Sequence, residues 1–253
     1  MNNSRIIDYL NNEFRPEEFA DSDYTFNGLN VQNSGKITKI GVSVDTGIET
    51  FYEAKRQNVD FLITHHGIFN KNSNNCLTGA MYSKIKVLID NDIALYCMHL
   101  PLDVNDEYSN NRVIMDLLSW DITGKFGDHD GLEVGLFSEF PESVNIEDII
   151  EKVKSGIDED ITVWAFGDYL IKKAGVISGN GINMLNDAHN ENIDLLITGE
   201  PSHKIYWQAY EKRIKCIFAG HYATEVFGVQ KIGKYLAENF NLEYTFINLP
   251  TGV

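Results

Sequence analysis

The chain has 253 residues, 43% of them hydrophobic and 23% charged, the make-up of a folded globular protein with room for one large α/β body or two smaller lobes. Thirty-seven acidic against 21 basic residues give a formal charge of -16, a field that repels phosphate polymers and anionic lipid and so disfavours general nucleic-acid or membrane-surface binding. Three scattered cysteines with no CxxC speak against a disulfide framework or a thiolate zinc site. The charged start and the lack of a membrane-length apolar run complete the expectation of a cytoplasmic protein.

Residues 4–14 place Ile6, Ile7, Leu10 and Phe14 on one helical face, and residues 16–35 read as a polar and aromatic loop with short strand pieces near Asn27-Gly28-Leu29. Residues 37–44 then read as a strand, Asp45-Thr46-Gly47 as a turn, 48–58 as a helix and the apolar run Phe61-Leu62-Ile63 as a buried strand, together one βαβ unit. That second strand ends in Thr64, His65, His66 and Gly67. A polar loop, a helix over 80–91 and a strand over 93–98 follow, the last ending in His99-Leu100-Pro101-Leu102-Asp103. A helix over 107–120 leads to GKFGDHDG, residues 124–131, whose turn formers mark a boundary between lobes at 125/126. Residues 132–137 read as a strand and 146–154 as a helix.

The second half repeats the first. KIGVSVDTGI from Lys39 lies over KAGVISGNGI from Lys173, and NVDFLIT from Asn58 over NIDLLIT from Asn192, both at an offset of 134. Matches at Gly41/Gly175, Asp60/Asp194, Leu62/Leu196, Ile63/Ile197 and Thr64/Thr198 point to internal duplication. The expected fold is therefore α/β, with two similar three-layer lobes, 1–125 and 126–253, related by that duplication. His65-His66 corresponds to Gly199-Glu200, and at an offset of 122 His99-x3-Asp103 corresponds to His221-x3-Glu225. Polar side chains thus end equivalent strands in both halves, where open α/β sheets place ligands.

Divalent ions need imidazole nitrogens and carboxylate oxygens converging at about 2.0–2.2 Å for zinc. His65, His66, Asp103, His221 and Glu225 offer three nitrogens and two carboxylates, too many for one open catalytic ion and suited to two ions sharing a carboxylate. An HH pair after a strand also arises among surface or satisfied histidines, and an i, i+4 His/Glu pair arises as an ordinary helix-surface contact. The placement of both at duplicated strand ends favours metal. His99 is either a ligand by symmetry with His221 or a buried hydrogen-bonded histidine within MHLPL. Glu200 is a candidate acid/base; the ordinary alternative is a first-turn helix residue before PSHKIYWQAY. Ser178-Gly179-Asn180-Gly181 lacks the third glycine of a dinucleotide loop and any Walker lysine, and reads as a tight turn.

The segments ITHHGIF, HLPLDVNDEYSNN, SGNG, ITGEPSHK and AGHYATEVFGV resemble those of the dinuclear-metal, NGG-interacting-factor-like family, the GTP cyclohydrolase 1 type 2 homologues. Ser109 stands where that family usually has glycine, and only Asn27-Gly28-Leu29 of its DNxGL pattern is kept. The resemblance implies that His65, His66, Asp103, His221 and Glu225 hold two divalent ions, of iron, zinc or manganese, in the cleft between the lobes. It also implies a short form without an inserted domain, assembled as a ring-shaped homohexamer. By the same resemblance the chain is a hydrolase in which activated water attacks C8 of the guanine of GTP, or a related nucleotide-like substrate, and releases formate. Glu200 and His99 would then shuttle protons. A metal-stabilised hexameric scaffold or regulatory binding protein without catalysis is the alternative.

Overall fold

The computed structural model describes residues 4–253. In chain order the elements are α1 (Ser4–Phe14), β1 (Gly28–Val31), β2 (Lys39–Ser43), α2 (Ile48–Arg56), β3 (Phe61–Thr64), α3 (Gly79–Asp90), β4 (Ala94–Cys97) and α4 (Leu100–Asp103). Then come α5 (Asn110–Leu118), β5 (Gly124–His129), β6 (Leu132–Asn145), α6 (Ile146–Gly156), β7 (Thr162–Trp164), β8 (Leu170–Val176) and α7 (Leu185–Asn190). The chain closes with β9 (Leu195–Thr198), α8 (Tyr206–Lys212), β10 (Lys215–Phe218), α9 (His221–Phe240) and β11 (Glu243–Phe246). None of the described helices is long and apolar enough to cross a membrane.

These elements divide into two α/β units, one of residues 1–108 and 228–249, the other of 109–227 and 250–253. The expected break at 125/126 falls inside the second unit. Residues 124–131, expected as an inter-lobe turn, form β5 and its hairpin to β6, with Gly124 opposite Phe137 and His129 opposite Leu132. The turn formers there serve that hairpin, in which Asp130 and Gly131 adopt positive φ.

The first unit has a five-stranded sheet in the order β1-β4-β3-β2-β11, parallel apart from the β1 edge. Alternation along β3 explains its layers. Phe61 and Ile63 pack with Ile6 and Leu10 of α1 and with Val229, Ile232 and Leu236 of α9. Leu62 faces the other way, onto Phe51 and Ala54 of α2 and Ile85 and Leu88 of α3. With helices on both faces the strand is buried at every position, which is why FLIT is a continuous apolar run.

The second unit has a six-stranded sheet in the order β5-β6-β8-β9-β10-β7. Its β8, β9 and β10 are parallel and flanked by an antiparallel β7, repeating β2, β3, β4 and β1. Leu195, Ile197 and Ile217 pack against Ile114, Met115 and Leu118 of α5 and Ile149 and Val153 of α6. The helix of α6 begins where the side chain of Asn145 accepts the Glu147 amide at 3.0 Å, with Glu147 and Asp148 in the first turn.

The duplication reaches the hydrogen bonds. The Asp60 carboxylate accepts the Thr38 and Lys39 amides at 2.8 and 3.1 Å, and Asp194 accepts the Lys172 and Lys173 amides at 2.8 and 3.0 Å. Asn58 and Asn192 both turn through φ 56°. Gly41 and Gly175 are bare for a shared reason: a Cβ at Gly41 would lie 2.8 Å from Val59, and one at Gly175 would lie 3.0 Å from Ile193.

Candidate metal centre

In the first unit β2, β3 and β4 end side by side, with Ser43 opposite Thr64 and Thr64 opposite Cys97. The residues that follow, Asp45, His65, His66 and His99, therefore emerge at one end of the sheet. The buried His65 has Nδ1 3.0 Å from the Met98 carbonyl, to which it donates, leaving Nε2 as the lone-pair nitrogen 3.7 Å from Asp103 Oδ1. His66 places Nδ1 2.7 Å from Asp45 Oδ1, and His99 places Nδ1 3.0 and 3.1 Å from the two oxygens of Asp23. All three imidazoles are thus held by Nδ1 and present Nε2, and their candidate ligand atoms lie within 4.8 Å of one another.

Asp23 is almost fully buried. Besides His99 it accepts the amides of Thr25 and Leu100, at 2.9 and 3.0 Å, and the side-chain amide of Asn27 at 2.8 Å. Asn27 Oδ1 in turn accepts the His99 amide at 2.7 Å. Burial alone would raise the Asp23 carboxyl, but the hydrogen bond and charge of His99, with the Asn27 and Thr25 bonds, outweigh it and bring the pKa down to about 2.

The second unit presents a different set at the corresponding sheet end. His221 opens α9 and Glu225 follows one turn later, with Nε2 and Oε2 3.2 Å apart, while His221 Nδ1 is 3.5 Å from Glu200 Oε1. The hydrogen bond to Glu225 raises the pKa of His221; burial opposes it, and the Glu225 and Glu200 charges add to it. Gly179 makes room for this pair. At its φ of +59° a Cβ would lie 2.2 Å from Glu225 Oε1 and 3.2 Å from His221 Nε2. Thr224 fixes the turn by accepting the Gly179 amide at 2.9 Å and donating to the Gly220 carbonyl at 2.9 Å.

Each unit therefore offers an imidazole nitrogen and a carboxylate oxygen at a separation that one ion with bonds of about 2.1 Å can span. The mixed nitrogen and oxygen donors suit zinc, iron and manganese alike. On this chemistry the residues present fit a divalent metal.

The family model described as Duf34/NIF3 (NGG1p interacting factor 3) matches residues 1–251. The chain belongs to the Duf34/NIF3 family. It is 35% identical over 231 residues to a Deinococcus radiodurans protein named "GTP cyclohydrolase 1 type 2 homolog", covering 91% of this chain and 88% of that one. Two solved structures resemble it over 100% of both chains: TTHA1606 from Thermus thermophilus, with 30% identity and a TM-score of 0.89, and protein ybgI, of unknown function, with 28% identity and a TM-score of 0.91.

Within this Duf34/NIF3 chain two sequence equivalences need adjustment. Met98 donates to Thr64 O and Ala219 to Thr198 O, so the third strands correspond at an offset of 219 − 98 = 121. That register sets His99 over Gly220, not over His221 as the offset of 122 implied. His99 is accordingly no mirror image of His221; it is the histidine held by Asp23. The helix expected directly after Glu200 begins only at Tyr206, so Glu200 lies outside its first turn and stands beside His221. Sequence reasoning missed Asp23 and Asp45. Asp45 carried a signal, since it follows β2 at the same sheet end as the histidines. Asp23, 76 residues before His99 in an irregular loop, carried none.

Proposed function

We propose that this Duf34/NIF3 chain is a divalent-metal-dependent hydrolase of the GTP cyclohydrolase 1 type 2 kind, with a dinuclear centre and a nucleotide or related substrate. The proposed ligands are His65, His66 and Asp103 from the first unit and His221 and Glu225 from the second. One observation carries the reading: three histidines in the first unit converge with every Nδ1 already held, an arrangement that surface histidines have no reason to adopt. The name of the Deinococcus radiodurans relative supports the choice of reaction.

Ions bound there would supply water activation and neutralise charge on the atom attacked. The chain's own groups do the rest. Met98 and Asp45 fix the ring orientation of His65 and His66. Asp23 holds the Nδ1 proton of His99, so His99 Nε2 is the atom that takes a proton from the attacking water and returns it to the leaving nitrogen. Glu200 steadies His221 through Nδ1 and is the second proton carrier.

The test is a screen of protein reconstituted with iron, zinc or manganese against nucleotides and phosphoesters, with formate release from GTP as the first readout. Formate release abolished by His66→Ala is the expected result. Metal-loaded protein that releases none removes GTP as substrate, and activity surviving in His66→Ala removes the proposed centre. The reading includes a homohexamer, in keeping with the family resemblance; light scattering that returned a monomer mass would remove that part.

A further inference from the structure

A second feature lies at the opposite end of the same strands. In the second unit, where β8, β9 and β10 begin, a cavity of about 380 Å³ is lined by Lys212, Arg213, Lys215, His189 and Phe166. It sits roughly 13 Å along the sheet from the strand ends that lead to Glu200 and His221, the length of a four-residue strand. In a chain with 37 acidic and 21 basic residues, three of the cations gather here. None of the three makes an ion pair or a side-chain hydrogen bond among the described residues, although Lys215 is only 6% exposed. The Lys215 stem is buried while its ammonium reaches the cavity, so three like charges line one cavity without an ion pair, and an anion bound there relieves their mutual repulsion.

The duplicated first unit shows that the fold does not require these charges. At the offset of 121, Arg213 corresponds to Asp92 and Lys215 to Ala94. The turns are the same: Asp92 has φ 55° and Arg213 φ 57°, and Ile93 donates to Leu88 O as Ile214 donates to Ala209 O, each at 2.9 to 3.0 Å. In the first unit Asp92 is used internally, accepting the Ser34 amide at 2.7 Å. In the second unit the position has changed sign and its side chain has no ion pair or hydrogen bond among the described residues. Asp194, which also borders the cavity, is committed to the Lys172 and Lys173 amides as Asp60 is to its own. The exposed Asp168 is left as an acceptor for hydroxyl groups.

We infer that this cavity binds a nucleoside monophosphate or a close relative. The phosphate is taken by Lys212, Arg213 and Lys215, the sugar hydroxyls by Asp168, and the ring lies against Phe166. The site is independent of the metal reading.

Calorimetric titration of the metal-free full chain with adenosine 5′-monophosphate, inorganic phosphate and adenosine tests this. The expected result is saturable nucleotide binding competed by phosphate, little binding of adenosine, and affinity at least about 10-fold lower in Arg213→Gln/Lys215→Met. Binding should persist in His66→Ala, which separates this outcome from failure of the hydrolase reading. No nucleotide binding, or equal binding by the double variant, overturns the site. Nucleotide and inorganic phosphate binding equally tightly overturns the ring contact with Phe166. Arg213→Gln alone replaces an exposed side chain, so its loss of affinity is readable even where the Lys215 change impairs folding.

Discussion

The turn after β2 carries Asp45, and 134 positions on, the turn after β8 carries Gly179. In the first unit the aspartate reaches forward to orient His66; in the second the bare glycine clears space for the Glu225 carboxylate. The next pair diverges as well. His65 donates its amide to Ser43 O, whereas Gly199 at the matching place donates to Gly179 O, so the second unit's turn folds in over the strand end. A Cβ on Gly199 would then meet Gly179 O at 2.6 Å and His221 Cα at 2.7 Å. A histidine has no room at 199, and the second unit draws its imidazole from α9 instead. One duplicated scaffold thus holds two donor sets because one loop closed over the position the other uses.

The largest expected effect comes from forcing the second unit toward the first. Gly199→Ala drives a methyl into two backbone segments that cannot swing aside, and chemical denaturation should show a loss of about 3 kcal/mol. An unchanged midpoint would break this account of why Gly-Glu replaced His-His.

A second effect belongs to the first unit alone, since Gly220 stands at the His99 position in the other. The folded Asp23 carboxyl lies at about 2, below its ordinary 3.8, so its stabilisation is present above pH ~4 and is lost as pH falls through ~2. That corresponds to roughly 2 kcal/mol between pH 5 and pH 2 in the metal-free chain. Asp23→Asn should flatten that portion of the acid-denaturation profile; a variant profile parallel to the wild type would contradict the Asp23–His99 pairing.

Asp45→Asn should leave the fold intact and weaken metal binding about 10- to 100-fold in a chelator competition titration. The smallest effects test the shared scaffold. Asp60→Asn and Asp194→Asn each weaken two charge-assisted amide bonds and should each cost about 1 kcal/mol. A difference between them larger than about 1 kcal/mol would mean that the two anchors are not equivalent.

The scaffold was legible because strands buried on both faces write themselves as apolar runs, and FLIT and LLIT recur with the same aspartate before them. His65, His66, His221 and Glu225 were legible as residues following such runs. Two things were hidden. The hairpin at 124–131 uses the same Gly and Asp vocabulary as a linker, and only its pairing with β6 tells them apart. The Asp23–His99 pair joins an irregular loop to a strand end, a contact with no period to betray it. The offset of 122 also misled: identical His-x3-acid spacing outweighed the strand register, which is set by backbone bonds and not by side chains.

One consequence follows from α9 and β11. The first unit takes Val229, Ile232 and Leu236 into its core and β11 into its sheet beside β2, pieces drawn from the far end of the chain. Gly233 lets that helix close down, since a Cβ there would lie 2.4 Å from Val42. During synthesis, then, the unit translated first stays incomplete until after residues 109–227 of the other have been made. Its β2 edge waits uncovered while residues 109–227 emerge and fold, and the arrival of β11 is what retires that exposed edge.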